Sequence, residues 1–226
     1  MKLIVAFCKN RGIGYKNLLP WNIQNDLKNF ANLTKTTSNN KKNAVIMGKN
    51  TYLSLPTNMS YLKKRDNFII SSSIKKDDII DGDIVKTFPS MIDLLDYYEL
   101  KKDIYETIWI IGGYEIYKLF IEAHNNKVIT IDEMRITYIE YEYECDTYFP
   151  KLELNNDNYF YVDTYFIEKE TYKSKEYNVY YITYKNRSNI DIEFYKSICT
   201  EYEKSTEDEK CIKNKIKIML EKIIYI

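Results

Sequence analysis

Apolar residues in the first 187 positions gather in two kinds of run. The first kind is short, nearly continuous and rich in Ile, Val, Phe and Tyr. It comprises Leu3–Phe7, Ala44–Met47, Phe68–Ile70, Ile84–Thr87, Thr107–Ile111, Met134–Tyr141, Phe160–Ile167 and Val179–Tyr184. Several are continuous enough to predict strands buried on both faces of a parallel sheet. The second kind repeats with helical spacing. Residues 23–34 carry Leu27, Phe30, Ala31 and Thr34 on one stripe. Residues 90–100 carry Ile92, Leu95 and Tyr98 behind a Ser90 N-cap, and 114–122 carry Ile116, Tyr117, Phe120 and Ile121. The final two strands have no helix between them. The pattern predicts an α/β fold: a mostly parallel eight-stranded sheet with helices on both faces, ending in an antiparallel hairpin.

From residue 188 the pattern changes. Thr206 and Glu209 have the spacing of a capping box, and Ile212, Ile216, Met219, Leu220 and Ile223 then share one helical face. The expected organisation is a domain over 1–187 and a helical C-terminal extension over 188–226. The apolar face of 206–226 either packs on its own domain or offers a contact surface to another domain or subunit. The polar stretch Lys35–Asn43 reads as a surface loop.

Composition narrows the function classes. The 226 residues hold 33 Lys+Arg and 33 Asp+Glu, a formal net charge of zero. That balance argues against a role coating nucleic acid, which needs net positive charge. No apolar run approaches the ~18 residues of a membrane helix. The run Leu3–Cys8 is cut by Lys9 and Arg11, short of the ~7-residue minimum of a secretory leader. A cytoplasmic protein without a membrane partner is expected. The single histidine, His124, excludes sites built from several histidines, and no metal is expected. Cys8, Cys145, Cys199 and Cys211 show no CxxC spacing and read as free thiols. With 23 tyrosines in the chain, Tyr is weak evidence at any one position.

Three constellations could carry chemistry. Asp26 adjoins Leu27 and lies one turn before Phe30, which puts a carboxylate on the apolar side of a helix. Burial there raises its pKa and suits it to protonating a weakly basic substrate; the plainer reading is an acid favoured by the helix dipole. In Ile111-Gly112-Gly113-Tyr114-Glu115-Ile116-Tyr117 a strand ends in two glycines and a helix begins. In Met47-Gly48-Lys49-Asn50-Thr51 the same junction recurs, with Ser71-Ser72-Ser73 after the next strand. Each junction could present backbone N–H groups to phosphate, and together they could grip a pyrophosphate. Each could also be an ordinary tight turn.

In order along the chain these segments resemble dihydrofolate reductases. The matches are Ile13-Gly14, Leu19-Pro20-Trp21, Asp26 with Leu27 and Phe30, Val45 to Lys49 with Thr51, Ser54-Leu55-Pro56, Arg65 with Asn67, Ile70-Ser71-Ser72, Ile111-Gly112-Gly113 with Tyr117, Thr137, and Cys145 to Pro150. The ordered set is specific although no single motif is. The resemblance implies hydride delivery from NADPH to C6 of 7,8-dihydrofolate, giving tetrahydrofolate, with Asp26 supporting protonation of N5. It implies that Thr137 holds the carboxylate and that Trp21 positions a water. Leu27, Phe30 and Leu55 would sandwich the pterin and the aminobenzoyl ring, the carbonyls of Ile4 and Ile111 would face the pterin 4-position, and Arg65 would pair with the α-carboxylate of the glutamate tail. For the cofactor, Ala6, Ile13, Gly14 and Tyr117 would border the nicotinamide. Gly48 to Thr51 and Gly113 to Ile116, including Tyr114 and Glu115, would cradle the pyrophosphate. Lys49, Ser71 and Ser72 would hold the 2′-phosphate, and a cis peptide is expected at Gly112–Gly113.

The chain departs from the family pattern at three places. Lys63-Lys64 precede Arg65 where Pro-Gly is common, Tyr52 stands where Trp is frequent, and Glu115 lies near the phosphates. Residues 188–226 have no common template in the family; bifunctional members continue into thymidylate synthase, and the tail could be such a linker. Two alternatives stand beside the reductase: an idle scaffold that binds a partner through its tail, and a related pteridine or pyrimidine reductase. Arg65 and the Asp26–Thr137 pair favour folate, since a substrate without a glutamyl tail has no use for that arginine.

Overall fold

A computed structural model describes residues 1–38, 40–56, 59–74, 83–151 and 160–186. The predicted helix over 206–226 lies outside the described residues. The main sheet is built from β1 (Lys2–Cys8), β3 (Lys42–Gly48), β4 (Asp66–Ile70), β5 (Val85–Phe88), β6 (Tyr105–Gly112), β7 (Glu133–Ile139), β9 (Phe160–Tyr172) and β10 (Lys175–Asn186). Its order is β5-β4-β3-β6-β1-β7-β10-β9. The strands from β5 across to β7 pair in parallel, and β10 runs antiparallel to both β7 and β9. The eight strands, mostly parallel, and the closing hairpin are as expected.

The hairpin is longer than its apolar runs. Lys173 and Ser174 both take positive φ at its turn, the geometry that matches strand twist. Residues 168–178 are mostly polar and exposed, so periodicity alone could not extend the strands to the turn. A small second sheet, β2 (Gly12–Gly14) with β8 (Thr147–Tyr148), was not predicted. Strands of two and three residues are too short to show a period.

Strand alternation divides the core into layers. Leu3, Val5, Phe7, Ala44, Ile46, Phe68, Ile108 and Ile110 face one side, where α3 (Met91–Lys101) and α4 (Tyr114–Asn125) supply Leu94, Ile116 and Phe120. Ile4, Val45, Met47, Ile69 and Trp109 face the other, under α1 (Gln24–Lys35) and α2 (Lys49–Leu53). Ser90 caps α3 by accepting from the Asp93 N–H, as its sequence position predicts.

Helix α1 corrects one expectation. Its buried residues are Asp26 and Thr34, whereas Phe30 and Ala31 are half-buried and Leu27 is 41% exposed. The stripe therefore turns its polar members inward. Leu27 is also absent from the apolar cluster that gathers Phe30, Leu33, Leu55 and Ile111.

Phe68 is fully buried and meets Phe88, Tyr97 and Tyr105 edge-on, with ring centroids 5.5, 5.7 and 5.6 Å away. Phe68→Ala should cost about 3–5 kcal/mol, read as a lower urea midpoint. An unchanged midpoint would take this ring cluster out of the core.

Candidate active site

The site begins where β1 and β6 part. Their pairing is confined to Lys2 with Trp109 and Leu3 with Ile110. On its other edge β6 carries an irregularity, because Ile46 pairs with Ile110 while Met47 pairs with Gly112. Ile111 is the extra residue, and a bulge of this kind re-aims the backbone. Tyr117 of α4 spans the gap: its hydroxyl lies 2.8 Å from the carbonyl of Ile4 and 2.8 Å from that of Ile111. One hydroxyl proton can serve only one of these oxygens at a time. Gly112 makes the approach feasible. Its φ is 98°, and a Cβ there would stand 2.5 Å from the Tyr117 ring.

Asp26 enters from α1. Its side chain is only 7% exposed, and it accepts a hydrogen bond from Thr137 on β7. Burial raises its pKa from 3.8 to about 6, against the opposing pull of the Thr137 hydroxyl. Thr137 pairs with Ala6 on one side and Tyr181 on the other. Both tyrosines near the acid, Tyr117 and Tyr181, have their pKa raised, by burial first and by the Asp26 charge second. Trp21 is buried against Tyr143, with ring centroids 5.7 Å apart, and its indole Nε1 has no partner among the described residues.

Arg65 is 4% exposed and donates to the Thr34 hydroxyl. Its guanidinium lies 5.5 Å from the centre of the Phe30 ring. Among the described residues it forms no ion pair, its Nε lacks a partner, and burial lowers its pKa to about 10. The turn that delivers it does form without Pro-Gly. Lys64 takes φ 64°, and the Asn67 side chain bonds the backbone of Leu62 and Arg65.

The two glycine junctions lie against each other. A Cβ on Gly48 would stand 3.2 Å from Ile116, and one on Gly113 would stand 3.2 Å from Thr51 Oγ1. Neither α2 nor α4 has a side-chain cap at its N-terminus, and the Gly112–Gly113 peptide is cis. Tyr114 and Glu115 are exposed. Lys49 Nζ donates to Ser73 Oγ at 2.9 Å, which in turn lies 3.3 Å from Ser71 Oγ.

A family model for dihydrofolate reductase matches residues 1–186. The chain is 35% identical over 151 residues to a dihydrofolate reductase of Drosophila melanogaster, covering 66% of this chain and 79% of that one. It is 37% identical over 152 residues to the dihydrofolate reductase of Gallus gallus, covering 66% and 77% respectively. It is 36% identical over 156 residues to that of Schistosoma mansoni, covering 68% and 79%.

The chain belongs to the dihydrofolate reductase family. Membership carries the enzyme class with it, an oxidoreductase that reduces dihydrofolate. Against the dihydrofolate reductase template, the structure gathers Asp26 with Thr137, Phe30 with Leu55, Ile111 and Arg65, and Gly48 with Thr51, Gly113 and Ile116. Ile13 packs against the α3/α4 side of the core, and Gly14 accepts from the Asp146 N–H at 3.0 Å. Ser72 is exposed, and it is Ser73 that meets Lys49. Sequence reasoning missed the double contact of Tyr117, and it missed Tyr181 and Tyr143, because tyrosine is too common here for its positions to stand out. Among the described residues no helix is long and apolar enough to cross a membrane.

The raised pKa of Asp26 makes stability depend on pH. The folded chain holds this proton more tightly than the unfolded chain. The stabilisation is therefore fully present below 3.8 and lost as pH rises through about 6. Across that window the wild type should lose up to about 3 kcal/mol relative to Asp26→Asn. Urea titrations of both proteins in acid and at neutrality check it. Parallel pH dependence would mean that the carboxyl is not sequestered.

Proposed function

We propose that the chain reduces 7,8-dihydrofolate with NADPH, hydride arriving at C6 while Asp26 supports protonation of N5. The observation that supports this reading is a pair of buried ionisable groups of opposite sign, Asp26 on α1 and Arg65 against Thr34 of the same helix, neither in an ion pair among the described residues. Asp26 suits a pterin ring, which offers an amino group and a ring N–H to a carboxylate. Arg65 suits the α-carboxylate of a glutamyl tail, which its planar fork can bind through two parallel hydrogen bonds.

The chain's own residues divide the work. Thr137 fixes the Asp26 carboxyl through its hydroxyl. Burial keeps that carboxyl's pKa about 6, so a proton is available near neutrality. The Trp21 N–H is free to hold a water beside the acid. Phe30 and Leu55 flank the ring system, with the more exposed Leu27 at the margin. The Ile4 and Ile111 carbonyls offer acceptors at the edge that Tyr117 bridges.

The adjoining glycine junctions fit a dinucleotide. The backbone at Gly48 and Gly113 is bare where a side chain would crowd Ile116 or Thr51, and the N-terminus of α4 faces the same place. Lys49 with Ser71 and Ser73 suits a 2′-phosphate, which favours NADPH over NADH, and Ser72 lies beside them. The exposed Glu115 need not face that phosphate. When bound, NADPH supplies the hydride. Ala6, Ile13 and Gly14 would border its nicotinamide.

Asp26→Asn should slow turnover by about 10²–10⁴-fold and leave NADPH affinity nearly unchanged. The assay is the loss of reduced-nicotinamide absorbance with dihydrofolate, beside a fluorescence titration of NADPH. Collapse of both together would remove the acid from the pterin side.

Arg65→Ala should weaken dihydrofolate by about 10–100-fold, the worth of a charge-assisted hydrogen bond, yet scarcely affect a pterin lacking the glutamate. Equal losses for the two ligands would show that Arg65 does not reach the tail.

A further inference from the structure

Cys8 is the last residue of β1, and Cys145 lies in the connection between β7 and β8. They are 137 positions apart in the chain, yet their sulfurs are 3.7 Å apart. Several contacts hold them there. Cys8 is fully buried in a cluster with Trp21, Ile139 and Tyr143, and its thiol donates to Asn10 Oδ1 at 2.9 Å. The same oxygen accepts from the Gly12 N–H at 3.0 Å. Gly12 must lack a side chain, because its Cβ would stand 2.2 Å from Cys145 Sγ. The Asp146 N–H, one residue on, is bonded to the Gly14 carbonyl.

Two thiols in a core can be mere small apolar fillers. Here the sulfurs face each other, and only one is sealed: Cys8 is buried while Cys145 is partly open to solvent. Residues 142–145 have no regular structure, so closing from contact to a bond of about 2.0 Å breaks no helix or strand hydrogen bond of this segment. We propose that Cys8 and Cys145 are an oxidation site that closes to a reversible disulfide, joining the end of β1 to the segment before β8.

With hydrogen peroxide as oxidant, the Cys145 thiolate attacks one oxygen and becomes a sulfenic acid, releasing hydroxide. The Cys8 sulfur then displaces the sulfenic oxygen, forming the S–S bond. In sum two thiols lose two electrons and two protons, and one peroxide becomes two waters. Burial, then the neighbouring Cys8, pushes the Cys145 thiol up to about 12. The thiolate is therefore scarce at neutrality, so peroxide closes the pair slowly there and faster as pH rises.

The test uses the full chain with its four cysteines. It is treated with hydrogen peroxide, the remaining thiols are alkylated, and unreduced peptides are mapped by mass spectrometry. The expected product is a Cys8–Cys145 cross-linked peptide that has lost two hydrogens and separates on adding dithiothreitol. A cross-link over so long a loop restricts the unfolded chain. The oxidised protein should therefore unfold several degrees higher, and Cys145→Ser should lose both the peptide and the rise. Alkylatable Cys8 and Cys145 after treatment, linkage to Cys199 or Cys211 instead, or accumulation of sulfinic acid at Cys145 would each overturn the proposal. The mapping is made on the wild type, so it holds even if the variant fails to fold. It involves no turnover, so it stands apart from the reductase reading.

Discussion

A carboxyl group held out of water organises the cleft. Burying Asp26 disfavours its charge, and one threonine hydroxyl offsets only part of that penalty. Such a group persists where the surrounding fold is stable enough to carry it. Here the support is the two-sided sheet, whose central strands are apolar on both faces and covered by helices. The acid is inserted at the edge of that core, from a helix whose inward face is unusually polar.

The same logic governs Arg65. A buried guanidinium is costly unless paired, and a threonine hydroxyl and an aromatic face satisfy it only in part. Asp26 and Arg65 lie on the α1 side of the sheet but do not neutralise each other. On the proposed reading, these two buried groups of opposite sign would suit a ligand that presents hydrogen-bond donors at one end and a carboxylate at the other.

Much of this was legible in the chain. Apolar runs located all eight strands of the main sheet, most clearly the central ones, where burial on both faces leaves a strong signal. The spacing of Asp26 against Leu27 and Phe30 raised the acid only as a candidate beside a plainer helix-dipole reading, and it took the ordered resemblance of the whole set, glycine junctions included, to favour it. What stayed hidden depends on tertiary register. Leu27 looked like a core residue, yet α1 is rotated so that Asp26 and Thr34 take the interior. The bulge at Ile111 and the two contacts of Tyr117 leave no local pattern, nor does the meeting of Cys8 with Cys145 across most of the domain. The left-handed turn at Lys64 is equally silent, since lysine gives no hint of it.

The separation of β1 from β6 has a consequence for antagonists. The oxygens that meet the Tyr117 hydroxyl at that seam belong to the main chain at Ile4 and Ile111. A drug anchored to them would grip atoms that every amino acid possesses, so resistance could not arise by deleting the contact. Escape would require displacing Tyr117 or reshaping the strand ends, and either change disturbs a cluster that includes Phe149 and the close packing against Gly112.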